Sequence, residues 1–236
     1  MNWNRFRLSY KKSVLPERNC NMSYHFSKTK RFILFIMGLT IAGIGVALST
    51  RPGLGTSPIT SLPYVTTFKF PWTLGMATIV INLFFILAQF IILKRRFGWK
   101  HIAQLPTLLA FGFFIDFGMW LTQFYIPEPY FLRVTEEVIG CLFLEVGIGF
   151  QLIANISLMP GDGFIRVVSE EYHIPFGTVK ICFDSTIVLS AILFSLCCFH
   201  NITGVREGTI IAAFLVGFFI KSQQKLLRKT KMLLLK

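Results

Sequence analysis

Apolar residues fall in long unbroken runs separated by short polar stretches, over 32–50, 73–93, 104–124, 134–156, 176–199 and, more briefly, 208–220. The first five runs are about as long as a helix must be to cross hydrocarbon, roughly twenty residues. The pattern predicts an all-α polytopic membrane protein with about six transmembrane helices.

The polar breaks repeat as well as the runs. Gly43-Ile44-Gly45-Val46 matches Gly147-Ile148-Gly149-Phe150, and Leu54-Gly55-Thr56-Ser57 matches Pro160-Gly161-Asp162-Gly163. Pro71 then matches Pro175, Asn82 matches Asp184, Thr107 matches Thr209, and Gly112-Phe113-Phe114-Ile115-Asp116 matches Gly217-Phe218-Phe219-Ile220-Lys221, at offsets that drift only between 102 and 106. Each match alone is weak, but the common order predicts two copies of a three-helix unit. An odd number of crossings per copy turns the second upside down, the inverted arrangement of many secondary transporters. The expected division is a basic tail over 1–31, transmembrane repeats over 32–133 and 134–220, and a second basic tail over 221–236.

Charge changes the picture by its placement. The net charge of +13 comes wholly from the two tails, which supply +7 and +6, while everything between is formally neutral. Basic residues gathered at membrane edges mark the cytoplasmic side and suit anionic headgroups, which argues against a nucleic-acid partner. Lys94, Arg95, Arg96 and Lys100 place the second loop on that side too, whereas the loops around Arg51, Lys69, Arg133 and Arg206 are poor in base. Both termini are therefore expected in the cytoplasm. The loop around Arg166, though acidic, must join them there for the count to hold. The first thirty residues have no apolar core of a signal peptide. Cys20, Cys141, Cys182, Cys197 and Cys198 show no Cys-x-x-Cys spacing and give neither a metal site nor a disulfide framework.

Candidate chemistry lies in two places. The first is the pair of Gly/Pro loops, Gly55-Thr56-Ser57-Pro58 and Pro160-Gly161-Asp162-Gly163. Glycines let backbone N–H groups face a ligand and a helix beginning there adds partial positive charge, so each loop could hold an anionic or polar solute; the plain alternative is a tight turn at a span end. Asp162 argues against direct anion binding by the second. Ser57 is the expected cap of a short helix with Pro58 at its first position, and Pro63 should stop that helix after about a turn and a half. Asp162 is the expected cap of the equivalent segment, whose apolar face would carry Phe164, Ile165, Val168 and Tyr172.

The second place is the set of ionisable residues inside spans. Glu145 sits mid-span, where a charge costs about 2.5–3.5 kcal/mol even on the lenient scale, so it should face the bundle interior and couple protons or substrate, or rest there as a neutral hydrogen-bonded acid. Asp184 has Lys180 four residues earlier, which predicts a local ion pair. Asn82 is its counterpart in the first repeat. Gln89, Gln151 and Asn155 read as interhelical hydrogen-bonders, and Gly38 with Ala42, Gly43 with Ala47, and Gly45 with Ser49 as close-packing pairs. No His-Glu-x-x-His, Gly-x-Ser-x-Gly or phosphate-binding loop is present, so neither an enzyme nor a cofactor is expected.

Gly55-Thr56-Ser57-Pro58, Met159-Pro160-Gly161-Asp162-Gly163, the run from Phe176 to Asp184, and Gly204-Val205-Arg206-Glu207-Gly208-Thr209 together resemble the YczE/YyaS/YitT-type family of bacterial integral membrane proteins. The resemblance covers roughly residues 31–222. It implies a bacterial inner-membrane location and a polytopic helical fold, and some members are described with five spans. The resulting expectation is a transporter or exporter of an unknown small solute, with a homo-oligomer among its candidate partners. The alternative is an accessory membrane protein that moves nothing. Transport requires the two Gly/Pro loops to approach one central site beside Asn82, Glu145 and Asp184; a scaffold requires only a dry, glycine-packed bundle.

Overall fold

A computed structural model of the chain describes residues 27–124 and 129–215. Residues 1–26 of the first basic tail, the whole second tail, the end of the expected sixth span (216–220) and Tyr125 lie outside the described residues. Within them the elements are α1 (Lys28–Thr50), the short α2 (Pro58–Thr67), α3 (Leu74–Leu93), a one-turn α4 (Trp99–Ile102), α5 (Gln104–Leu121), α6 (Tyr130–Ala154), a second short helix α7 (Pro160–Tyr172) and α8 (Phe176–Phe199). Residues 207–215 are again helical. Helices α1, α3, α5, α6 and α8 are long and apolar enough to cross a membrane. Phe84, Ile91, Phe113 and Ile181 stand outward from them, at the expected lipid face. The protein is an all-α polytopic membrane protein.

Apolar runs located the spans to within a few residues, and the differences have local causes. Helix α1 begins four residues before its apolar run because Ser27 accepts from the Lys30 N–H and caps a polar first turn. Helix α6 begins at Tyr130, directly after Pro129, and stops at Asn155, whose φ of 48° puts it in the left-handed region.

Two clusters make the core. Around Leu39, Val46, Ile115 and Leu144, helix α1 packs between α5 and α6. The contact with α6 is antiparallel and nearly side-chain-free: Gly38 meets Gly147 and Gln151, while Gly45 meets Leu144 and Gly140, and Gly140 in turn lies on Ser49. Gly43 turns the other way, onto Phe114 of α5, and Gly118 of α5 sits on Ala47. The small residues expected at fourfold spacing thus serve two different interfaces of one helix. Around Ile165, Val179, Phe183 and Ile187, the second cluster joins α7 and α8 to Ile59 and Leu62 of α2 and Phe85 of α3. Here the packing is exchanged between halves, with α2 against α8 and α7 against α3.

Helix α2 corrects one expectation. Pro63 does not stop it; the helix runs ten residues through the proline. Pro63 leaves Ile59 O without its usual donor; beside it Ser61 donates to Pro58 O and Thr66 to Pro63 O at 2.7 Å each. Burial between neighbouring helices then holds a segment that would end in water.

Helix α7 corrects another. Its cap is Met159 and its first residue Pro160, so Asp162 lies within the first turn and does not cap it. Pro58 and Pro160 therefore occupy equivalent places, 102 residues apart, and the match of Leu54 with Pro160 is displaced. Asn82 and Asp184, the ninth residues of α3 and α8, keep the same offset. On α7 Ser169 is buried, donating to Ile174 O at 2.7 Å, and Tyr172 is exposed, the reverse of the expected faces.

Candidate functional site

The two short helices begin near one another. Ser57, Pro58 and Ile59 from the start of α2 and Asp162 from the first turn of α7 line a cavity of about 30 Å³, with Leu144, Glu145 and Ile148 of α6 and Lys180 and Asp184 of α8. That volume holds about one or two waters. The cavity lies where α6, from the first cluster, faces the second.

Lys180 organises its charges. Its ammonium lies 3.1 Å from Asp184, one turn along α8, and 3.7 Å from Asp162 across the cavity. The first pair follows from the spacing of the residues; the second does not, since it joins two helices. Glu145 is buried on the same wall, at 3% exposure. Three carboxylates thus share a small space with one ammonium. In a medium where unpaired ions are costly, such a site has spare capacity for positive charge and none for an anion.

Not every expected residue reaches the cavity. Asn82 is buried one layer away: its amide donates to Thr78 O at 2.9 Å, and its Oδ1 is 3.9 Å from where a Cβ on Gly161 would sit. Pro160, Gly161 and Gly163 serve the packing of the α7 start. Pro160 O accepts from Gln89 at 3.1 Å, and Gln89 and Gln104 exchange hydrogen bonds of 3.0 and 3.1 Å, with Gln104 flat against Gly163. A side chain on Gly161 would run into Ile59 of α2, and one on Gly163 into Gln104 of α5.

Gly55 and Thr56 lie on the opposite side of α2, against the segment before residue 210. Thr56 N–H donates to Thr209 Oγ1 at 3.3 Å and Gly208 N–H to Leu54 O at 2.9 Å. Gly55, at φ 127°, leaves no room for a Cβ beside Thr209. From there a file of hydroxyls leads back to the cavity. Thr56 Oγ1 is 2.8 Å from Thr60 Oγ1, which is 2.7 Å from Ser57 Oγ. Ser57 stands at the helix cap, but its side chain bonds Thr60 and not a backbone N–H.

Residues 29–225 match the model of DUF6198, described as a family of unknown function. The chain belongs to this family. Its similarity to individual proteins is distant but long. It is 22% identical over 192 residues to an uncharacterized protein of Haemophilus influenzae, covering 81% of this chain and 82% of that one. It is also 22% identical over 195 residues to the uncharacterized protein YyaS of Bacillus subtilis, covering 80% and 90%. No solved structure matches. The YyaS-type resemblance carried by the Gly/Pro loops and the Phe176–Asp184 run therefore stands, and the DUF6198 match spans all five long helices.

Lys180, Thr60 and the Gln89–Gln104 pair were absent from the residues singled out as a site. Their sequence signals are the fourfold spacing of Lys180 and Asp184 and the threefold and fourfold spacing of Ser57 and Thr56 to Thr60. Among the described residues no group of three or more His, Cys, Asp or Glu is placed to hold a metal ion.

Proposed function

We propose that this protein is a small-solute transporter of the bacterial inner membrane, built as two inverted three-helix repeats, and that its solute is a small cation or protonated amine exchanged against protons. The observation that carries the reading is the cavity shared by the starts of α2 and α7 and bordered by Glu145, Asp162, Lys180 and Asp184. A scaffold has no use for three carboxylates around a space inside its bundle, and membrane interiors carry such groups at a cost.

Several features support the inverted repeat. Helices α1 and α6, the first of each half, run antiparallel, and the short helix of each half packs on the other half. Arg31 donates to the carbonyls of Ala154 and Asn155, and Arg96 pairs with Glu171 at 2.9 Å, so the start of α1, the basic loop, the end of α6 and the end of α7 share one side. That side is the cytoplasmic one on the charge count. Arg51, bound to Met119 O and Thr122, and the segment near Gly208 belong to the other.

In this reading Lys180 is a tethered cation that holds Asp162 and Asp184 together while the site is closed. An incoming cation competes for the same carboxylates, and Glu145 takes up or gives back the compensating proton. The present cavity admits little more than water, so a larger solute needs α2 and α7 to draw apart.

The test uses the full chain in sealed vesicles with an entrapped pH-sensitive dye. Small inorganic cations and primary amines are offered in turn. Proton movement driven by a cation gradient, lost in Glu145→Gln, is the expected result. A folded wild-type protein that moves neither protons nor labelled cations across the panel would overturn the transport reading in favour of an accessory membrane protein.

A further inference from the structure

Eight residues before Glu145 on the same helix, about 12 Å along its axis, a second carboxylate is buried more completely. Glu137 is 1% exposed, and neither of its oxygens has a hydrogen-bond partner. Its carboxyl group lies directly against Gly208, at a contact that no side chain at that position could share. Gly208 is the residue whose N–H holds Leu54 O, and its neighbour Thr209 holds the Thr56 N–H. Glu137 thus sits at the seal between α6 and the 204–209 segment, beside the outer end of the hydroxyl file that leads to the cavity.

The groups that act on Glu137 across its packing contacts are acidic or neutral. Glu207 acts on it from the segment it seals, Tyr64 from α2, and Cys141 from the next turn of its own helix. The neighbouring Glu136, also buried and without a partner, has Arg51 acting on it. Arg206 is engaged with Glu207 at 3.2 Å. Neither Glu137 oxygen receives a hydrogen bond from a cation or any other donor among the described residues. An ionised carboxylate in this position would have neither water nor a donor, so the closed arrangement requires the neutral acid.

We propose that Glu137 is a proton-binding site, occupied while the 204–209 segment rests on α6 and emptied when that segment lifts, and that water admitted at the seal then links it to the hydroxyls of Thr56, Thr60 and Ser57, making it the outer proton port of the central cavity. The step is a plain proton transfer: the O–H bond of the Glu137 carboxylic acid breaks, the proton passes to water admitted at the seal, and the carboxylate is left hydrated. Metal binding is not needed. The site itself stands on its own geometry, while its role as a port rests on the transport reading.

Infrared difference spectroscopy on the full chain in lipid nanodiscs tests the site, with acid and alkaline samples compared. Wild type and Glu145→Gln should show a carboxylic-acid carbonyl band that disappears on alkalinisation and that Glu137→Gln lacks. Hydrogen exchange of residues 204–215, corrected for the intrinsic rate, should accelerate several-fold with rising pH in wild type and stay at its acid value in Glu137→Gln. Identical spectra and exchange in wild type and Glu137→Gln would overturn the proposal. If Glu137→Gln fails to insert, labelling of wild type by dicyclohexylcarbodiimide decides: modification of Glu137 that falls as pH rises supports it, and a Glu137 inert at every pH refutes it. A Glu137 that titrates in a protein that moves no solute would leave the site standing and remove the transport function.

Discussion

The carboxylate of Asp162, in the first turn of α7, lies 3.7 Å from the ammonium of Lys180 on α8, so the start of the short helix and the span that follows it are pinned together at the cavity. Lys180 also pairs with Asp184, and both carboxylates are largely buried. Removing the ammonium leaves two unpaired acids in a low-dielectric space. Lys180→Met should therefore destabilise the folded protein by on the order of 3 kcal/mol. Adding Asp184→Asn to it should recover part of that loss. Thermal unfolding in detergent measures both, and a Lys180→Met protein that melts like wild type would show that the pair carries no net stability.

The glycine contacts give a cleaner contrast. A Cβ on Gly140 would overlap the Ser49 backbone, which cannot swing aside as a side chain can. Gly140→Ala gains up to about 1 kcal/mol of helix propensity, yet overpacking at a backbone contact costs about 1–3 kcal/mol, and the overlap should win. Gly177 in the first turn of α8 has nothing within 4 Å of an added Cβ. Gly177→Ala should be neutral or stabilising by a few tenths to about 1 kcal/mol. The two variants, melted side by side, should move in opposite directions.

Why these features were or were not legible follows from range. Apolar run length marked the five spans, fourfold spacing marked the Gly38–Ala42 and Gly45–Ser49 faces and the Lys180–Asp184 pair, and a proline after a break marked where α2 begins, because each depends on residues within a turn or two. Asp162 meeting Lys180 depends on how α7 packs, and no local pattern encodes it. Pro63 would end a helix in water, but here it lies buried in one packed between neighbouring helices. Glu137 was passed over because Glu136-Glu137 near the start of a span looks like its wet end. Only the Gly208 contact shows that Glu137 is sealed.

The ion pair of Arg96 with Glu171 fixes sidedness without contributing much stability. Both partners are well exposed, so breaking it should cost less than about 1 kcal/mol. In a background without native cysteines, single cysteines at 96 and 171 should react with an impermeant maleimide from the same face of oriented vesicles. Cysteines at 53 and 206 should react from the opposite face. Positions 96 and 171 reacting from different faces would contradict the fold itself, while all four reacting from one face would remove the inverted repeat.

The number of crossings is decided by the helix that begins at residue 207. Five spans are in place before it, and α8 runs from the side of Glu171 to the side of Gly204, where the chain turns at φ 81° onto Tyr64 and Phe68 of α2. The helix that begins at 207 has Gly208 against Glu137 of α6, and the inverted repeat requires it to cross. Reporter fusions after residues 60, 98, 130, 168, 203 and 236 should then alternate outside and inside, ending inside with the basic tail. Fusions at 203 and 236 that both report outside would leave five spans and an unpaired second repeat. The exchanged packing of α2 on α8 and α7 on α3 would then need an explanation other than duplication.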